Sequence, residues 1–273
     1  MKIISDDKTL RAFIPNVFST VDGELSLFDK LTPFLNIAET WFTKNILGES
    51  LRDEIAANSQ HCMYVNVAMA ITNKAFALAV PSLDVVLTPN GFGVVGNKTL
   101  VPASKERVER LIVSLQTLEA YCTCAILNEA RNSNGWHNSP QCRWLAESII
   151  QDMRILPAEN LNWDAFIELR NKAYAWEKEI ANAWISVPLM NRLRNCEATA
   201  TYSNEEKELV KIVKSITVSA IKNNCLNRKL LEDAVTYIRA FPVLFPEWPT
   251  SPTAKLFSDY SFKNKKDSSG YFF

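Results

Sequence analysis

The chain has 273 residues, 47% hydrophobic and 22% charged, and its Lys and Arg balance its Asp and Glu at a formal net charge of zero. That length accommodates one large domain or two small ones with a sizeable core, and the apolar content excludes disorder over most of it. Zero net charge argues against bulk nucleic-acid binding, which needs surplus cations on some face.

From the N-terminus, Ser5 can cap a short helix through Ala12, stopped by Pro15. No apolar signal core follows Met1, so secretion by that route is not expected. Leu27, Leu31, Phe34, Leu35, Ala38, Trp41 and Phe42 recur at helical steps. Pro33 falls in that helix's first turn or kinks it, and Gly48 is its stop. Glu49 to Asn58 reads as a short helix. Cys62 to Val80 reads as a nearly all-apolar, buried helix. Asn66, Asn73 and Lys74 interrupt its apolar run, Met63 to Val80, so a membrane span is not expected. Residues 84–96 then read as a β-hairpin. Leu83 to Thr88 is a β-branched run, Pro89-Asn90-Gly91-Phe92 a turn, and Gly93-Val94-Val95-Gly96 the return strand.

Pro102 and Ser104 open the longest helix, to about Asn132, with Val108, Leu111, Ile112, Leu115, Leu118, Cys122, Ala125 and Ile126 as its stripe. Arg131 to Pro140 reads as a polar linker between two halves. Beyond it, Asn162 caps a helix through Trp184, Pro188 begins a short helix to Asn195, and Ser203 with Glu206 forms a capping box. A last helix carries Leu230, Leu231, Ala234, Val235 and Ile238. The expected fold is all-α: a helical bundle with one protruding hairpin and an extended C-terminal tail. The expected domains are 1–132, 141–248 and a tail at 249–273. In both halves a long helix is followed by a short one and then another long one, which suggests a duplicated helical unit.

Few residues invite catalytic or metal chemistry. Gly91-Phe92-Gly93-Val94-Val95-Gly96 matches the dinucleotide fingerprint, but no helix starts before Pro102, so a hairpin is the better reading. Cys122 and Cys124 are two apart on a helix and point to different faces. The six cysteines read as reduced core thiols in a cytosolic compartment. His61 and His137 are the only histidines. Glu106 and Glu109 sit among Lys105, Arg107 and Arg110, as on a solvated face. Trp136 and His137 in the linker read as packed on the domain surface, or else as a binding patch. Lys263, Lys265 and Lys266 read as a solvated tail. The expectation is no enzyme, no catalytic residue, no cofactor and no metal.

Two features point to protein contacts. The first is the hairpin tip: Asn90, Phe92, Val94 and Val95. An isolated hairpin is marginal in water, so it packs on its own helices or on another subunit. The second is the tail, with Phe257, Tyr260, Phe262, Tyr271, Phe272 and Phe273. So many aromatics in a polar segment are expected to dock, on a neighbouring subunit or on their own chain.

The order Ile3-Ile4-Ser5-Asp6-Asp7-Lys8-Thr9-Leu10, Leu31-Thr32-Pro33-Phe34-Leu35, Ile46-Leu47-Gly48-Glu49-Ser50-Leu51, Ala68-Met69-Ala70-Ile71, Pro81-Ser82-Leu83-Asp84, Gly91-Phe92-Gly93-Val94 and Pro102-Ala103-Ser104-Lys105-Glu106-Arg107 resembles a family encoded by phages and prophages of gut Bacteroides-type bacteria. Its members are similar to head–tail connector, or neck, proteins of tailed phages, with the ring proteins of crAss-like phages as the near analogy. The resemblance covers about the first 130 residues, and the second half by pattern. It implies a virion structural protein with no catalytic residues, present in host cytoplasm before assembly and in the virion neck afterwards. Such subunits form a homo-oligomeric, twelve-fold ring below the portal protein, beside other neck or tail rings. The ring extends a channel that passes DNA without sequence-specific binding, and terminal extensions clasp neighbours. The other reading is an intracellular helical protein-interaction module.

Overall fold

The computed structural model describes residues 2–14, 26–83, 85–88, 91–94, 104–157 and 161–257, and these are mostly helical, with one short pair of strands. Helix α1 (Asp7–Phe13) is capped by Asp6, not Ser5: the Asp6 carboxylate accepts the Thr9 N–H at 2.7 Å. Helix α2 (Leu27–Phe42) starts at Ser26, whose hydroxyl accepts the Asp29 N–H. Pro33 therefore lies inside α2, past its first turn, and the helix continues through it. Its last turn widens into a π-turn at Thr43–Leu47, and the chain reverses at Gly48 with φ 75°. That conformation is open chiefly to glycine. Helix α3 (Glu49–Ala57) follows, then α4 (Tyr64–Leu83). The expected start at Cys62 is two residues early, and α4 runs past Pro81.

Strands β1 (Val85–Thr88) and β2 (Gly91–Val94) pair antiparallel, with Val85 opposite Val94 and Leu87 opposite Phe92. The second strand begins at Gly91, not at Gly93. Asp84, Pro89, Asn90, Val95 and Gly96 lie outside the described residues.

Helix α5 (Lys105–Ala130) packs along α4. Its first turns expose most of their surface, and Leu115 is the first fully buried residue. The expected polar linker after it is not one. Residues 131–140 hold the short helix α6 (Asn134–His137) and the start of α7 (Pro140–Leu145), and Trp136 is 1% exposed. The segment turns inward because its polar groups are satisfied there: the Trp136 indole N–H donates to the Ile46 carbonyl, and Gln141 donates to the Lys44 carbonyl, both at 2.8 Å.

The second half comprises α8 (Trp163–Ile180), α9 (Val187–Ala198), α10 (Asn204–Asn223), α11 (Arg228–Ala240) and α12 (Pro252–Lys255). The capping box at the start of α10 is present: Glu206 N–H donates to Ser203 Oγ, and Ser203 N–H to the Glu206 carboxylate. The expected tail boundary at Pro249 moves. Ser251 and Thr253 are buried, and Thr253 donates to the Asn182 carbonyl, so the chain through Phe257 belongs to the folded body. Four of the six expected core thiols are wholly or partly covered, whereas Cys62 and Cys225 are exposed.

Many local features occur twice, in the same order. Buried Ile149 donates its backbone N–H to Glu177, one turn before the second π-turn, and the buried Ile3 backbone is near enough to Glu39, one turn before the first, to oppose the rise that burial gives the Glu39 pKa. The π-turns Thr43–Leu47 and Ala181–Ile185 both end on a residue of positive φ, Gly48 at 75° and Ser186 at 79°. Short helices follow with Leu51 and Ile55, or Leu189 and Leu193, buried at the same steps. The next helices bury Ile71-Thr72 with Ala75, and Ile216-Thr217 with Ala220. Each half then presents Trp-x-x-Ser-Pro: Trp136 to Pro140 and Trp248 to Pro252. Each tryptophan donates to the same π-turn position, Ile46 or Trp184, and each serine caps the helix behind it. The halves differ most between the paired helices. Residues 84–104 join α4 to α5, whereas α10 reaches α11 through a four-residue turn containing left-handed Asn224.

Candidate assembly surface

The surface is built from what the core leaves uncovered. Along α5, Val108, Leu111 and Ile112 are half-buried against the core, while Val113 and Tyr121 on the opposite face are 60% and 50% exposed. Thr117 lies between them, so all three share one stripe. Glu106 and Arg110 pair one turn before Val113. On α4, Leu78 is also exposed. Helix α5 spans about 39 Å. It is long and apolar enough, by length and composition, to cross a membrane, but its second half lies in the core.

The structure distributes the expected contact residues unevenly. Phe92 and Val94 are in β2. Phe257 docks on its own chain, its ring centre 5.4 Å from Trp184 and 6.1 Å from Trp248, and its carbonyl accepts from Arg239 at 2.5 Å. Asn90, Val95, Tyr260, Phe262, Tyr271, Phe272 and Phe273 lie outside the described residues.

The halves are joined by a buried polar seam that periodicity could not reveal. The Arg131 guanidinium donates to the Gln151 carbonyl and lies 3.4 Å from Glu197. Arg170 donates to the carbonyls of Trp144, Leu145 and Ile150. Burial pushes its pKa down to about 10, against the pull of Glu177. Glu177 is fully buried; it accepts from Ser148 Oγ at 2.6 Å and the Ile149 N–H, and it pairs with Arg194 at 2.7 Å. Each buried charge finds at least one partner, because an unpaired buried charge is costly, while Arg131 Nε and Gln151 Oε1 are left without one.

Beside the seam, a cleft of about 430 Å³ opens between Trp41, Lys74, Glu119, Trp163 and Asp164. The Lys74 ammonium lies 3.1 Å from Glu119 and 3.9 Å from the Trp41 ring centre. Burial raises the Glu119 pKa, opposed by Lys74. Lys74 thus finds both its partners in the walls, and the cleft offers a ligand little free positive charge. Among the described residues no three His, Cys, Asp or Glu side chains converge as a metal site. The His137 imidazole Nε2 is 2.6 Å from the Arg131 carbonyl, and His61 Nδ1 accepts the Met63 N–H. Burial pushes the Cys124 thiol up to about 11, far from a reactive thiolate.

Residues 23–144 match the model of a protein family described as a family of unknown function, DUF6712. No curated protein and no solved structure matches the chain.

Sequence reasoning placed Trp136 on the domain surface or in a binding patch, and missed Trp248, Arg131 and Glu177. The first two carry a signal that was available, the repeated Trp-x-x-Ser-Pro. The charged pair has none, because its partners are distant in sequence.

Proposed function

We propose that the protein is a virion structural subunit of the head–tail connector type, and that its body is a duplicated helical unit. The first unit runs from Ile3 to Leu145 and the second from Ile149 to Phe257. The observation that carries the reading is the α4–α5 arm. Its outer stripe presents Val113 and Tyr121 to solvent, and the strand pair of residues 85–94 joins its two helices. Exposed apolar side chains aligned along one helix can be covered together by a partner. The second unit needs no such element, since it closes the equivalent helices with a short turn. The added arm, with its strand pair, therefore serves something beyond folding. The connector assignment adds the resemblance of the first 130 residues, which makes the partners further copies of the chain, the portal protein and the adjacent neck rings.

The test is native mass spectrometry and electron microscopy of the purified chain, alone and mixed with its cognate portal protein. A closed ring, alone or seated on the portal, is the expected result. A monomer that ignores the portal sinks the connector reading and leaves an interaction module with another partner.

A further inference from the structure

The junction between the two units has a counterpart that no described residue covers. On the first unit, Arg131 stands five residues before Trp136 and Trp144 eight residues after it. Both are held against the second unit. Arg131 is buried at Gln151 and Glu197. Trp144 lies 5.4 Å from the Trp163 ring centre, with the Arg170 guanidinium 4.2 Å from its own. On the second unit, the residues in those places around Trp248 are Val243 and Leu256. They are 88% and 71% exposed, the two highest values among the large hydrophobic side chains described. The positions that grip the next unit on one side are bare and apolar on the other. The first unit has a less covered aromatic at a matching position. Phe166, eleven residues before Glu177, is fully buried, with its ring 5.7 Å from Trp163. Phe28, eleven residues before Glu39, is only half-buried.

We propose that a second copy of this chain docks its first unit on the Val243–Leu256 face of the second unit, repeating between chains the junction that joins the two units within one. The inference rests on the duplicated-unit reading and is independent of the virion assignment. The change from Arg131 to Val243 fits it: the internal junction uses a charged pair, whereas a separate chain is held more readily by apolar contact. A head-to-tail contact of this kind builds a ring if its rotation closes and a filament if it does not.

The test is sedimentation analysis of the full chain at concentrations up to about 1 mM, for wild type and for the Val243→Asp, Leu256→Asp double variant. Both side chains are exposed, so an unchanged helical circular-dichroism spectrum and melting curve are expected. Wild type should self-associate, and the double variant should do so at least about tenfold more weakly. A wild type that stays monomeric throughout overturns the proposal, as does association that the substitutions leave unchanged. If the substitutions instead make residues 258–273 newly cleavable by trypsin without altering association, the occupant is the chain's own C-terminal segment. Failure of the connector reading is separable. A chain that associates through this face yet ignores the portal keeps the junction and loses the connector, whereas rings on the portal that tolerate the double variant do the reverse.

Discussion

Trp136 and Trp248 make the same bond in the two halves: each donates its indole N–H to the fourth residue of a π-turn, Ile46 at 2.8 Å and Trp184 at 2.9 Å. A π-turn leaves carbonyls without their usual helical partners. The indole satisfies one of them and anchors the chain that follows α5 or α11. Replacing Trp136 by Phe keeps an aromatic ring but abandons a buried carbonyl and opens a void. The expected cost is about 2–4 kcal/mol. Trp248→Phe should cost less, about 1–2 kcal/mol, because that ring is nearer the surface. Urea unfolding with matched slopes would show the order, and an equal or reversed order would mean that ring burial does not set the cost.

The residue after each π-turn supports a paired prediction. Gly48 has φ 75° and ψ 162°, and a Cβ there would meet Gln141 Oε1 at 2.9 Å. Gly48→Ser should destabilise by about 1–3 kcal/mol. Ser186 already occupies φ 79°, and its hydroxyl lies 3.4 Å from the Leu189 N–H as a helix cap. Ser186→Gly relieves backbone strain but loses a weak cap and loosens the unfolded chain, so its effect should lie within about 1 kcal/mol. Thermal and urea unfolding of both variants checks the contrast. A Gly48→Ser protein as stable as wild type would show that the turn relaxes freely.

Glu177 anchors the seam. Removing it strands the Arg194 guanidinium and the Ile149 N–H in a buried site. Glu177→Ala should cost about 3–5 kcal/mol, the loss expected when one partner of a buried pair is removed. Glu177→Gln keeps the shape and some of the hydrogen bonds and should recover part of it. If Glu177→Ala unfolds at the wild-type urea midpoint, the seam contributes nothing to stability.

The helices were legible because their signals are local. The Ser203–Glu206 capping box and the Asn162 cap lie within one turn of the groups they satisfy. Trp136 was not legible for the opposite reason. Its neighbours Asn132, Ser133, Asn134 and Gly135 are polar or small and resemble a loop, yet its partner Ile46 is far away in sequence. Local polarity therefore predicted exposure where a long-range bond produced burial. Phe257 misled similarly: an aperiodic, proline-rich approach reads as tail, but Thr253 and Trp248 tie it to the second π-turn. The repetition was visible only as spacing, because the halves share few identities outside Ile-Ile, Ile-Thr-x-x-Ala and Trp-x-x-Ser-Pro.

The Glu119 carboxyl gives stability a specific pH dependence. Burial holds its folded pKa above the ordinary 4.5, with Lys74 opposing the shift. Between 4.5 and the raised folded value, the folded state binds more protons than the unfolded state. Stability from this group is therefore full below the unfolded pKa and is lost as pH rises through the folded one. Glu119→Gln removes that dependence. The unfolding free energy of wild type relative to Glu119→Gln should fall as pH rises from about 4.5, where the unfolded carboxyl begins to ionise. A difference that stays flat or rises would mean that Lys74 outweighs burial.

The α5 stripe separates folding from assembly. Val113 and Tyr121 are more than half uncovered or evenly divided between protein and solvent, so neither carries much of the core. Val113→Asp with Tyr121→Asp should therefore change folding stability by no more than about 1 kcal/mol, mostly through lost helix propensity and aromatic area. Two carboxylates on a surface that must become dry would be expensive, so incorporation into rings with the portal should fall at least about tenfold. The control is an exposed pair away from the arm, Glu208→Lys with Lys211→Glu on α10, which keeps the charge pattern's character and should leave incorporation unchanged. If both pairs assemble like wild type, the stripe is ordinary solvent-facing surface and the arm serves only the fold. If both pairs fail alike, the effect follows from general surface charge rather than from the apolar stripe.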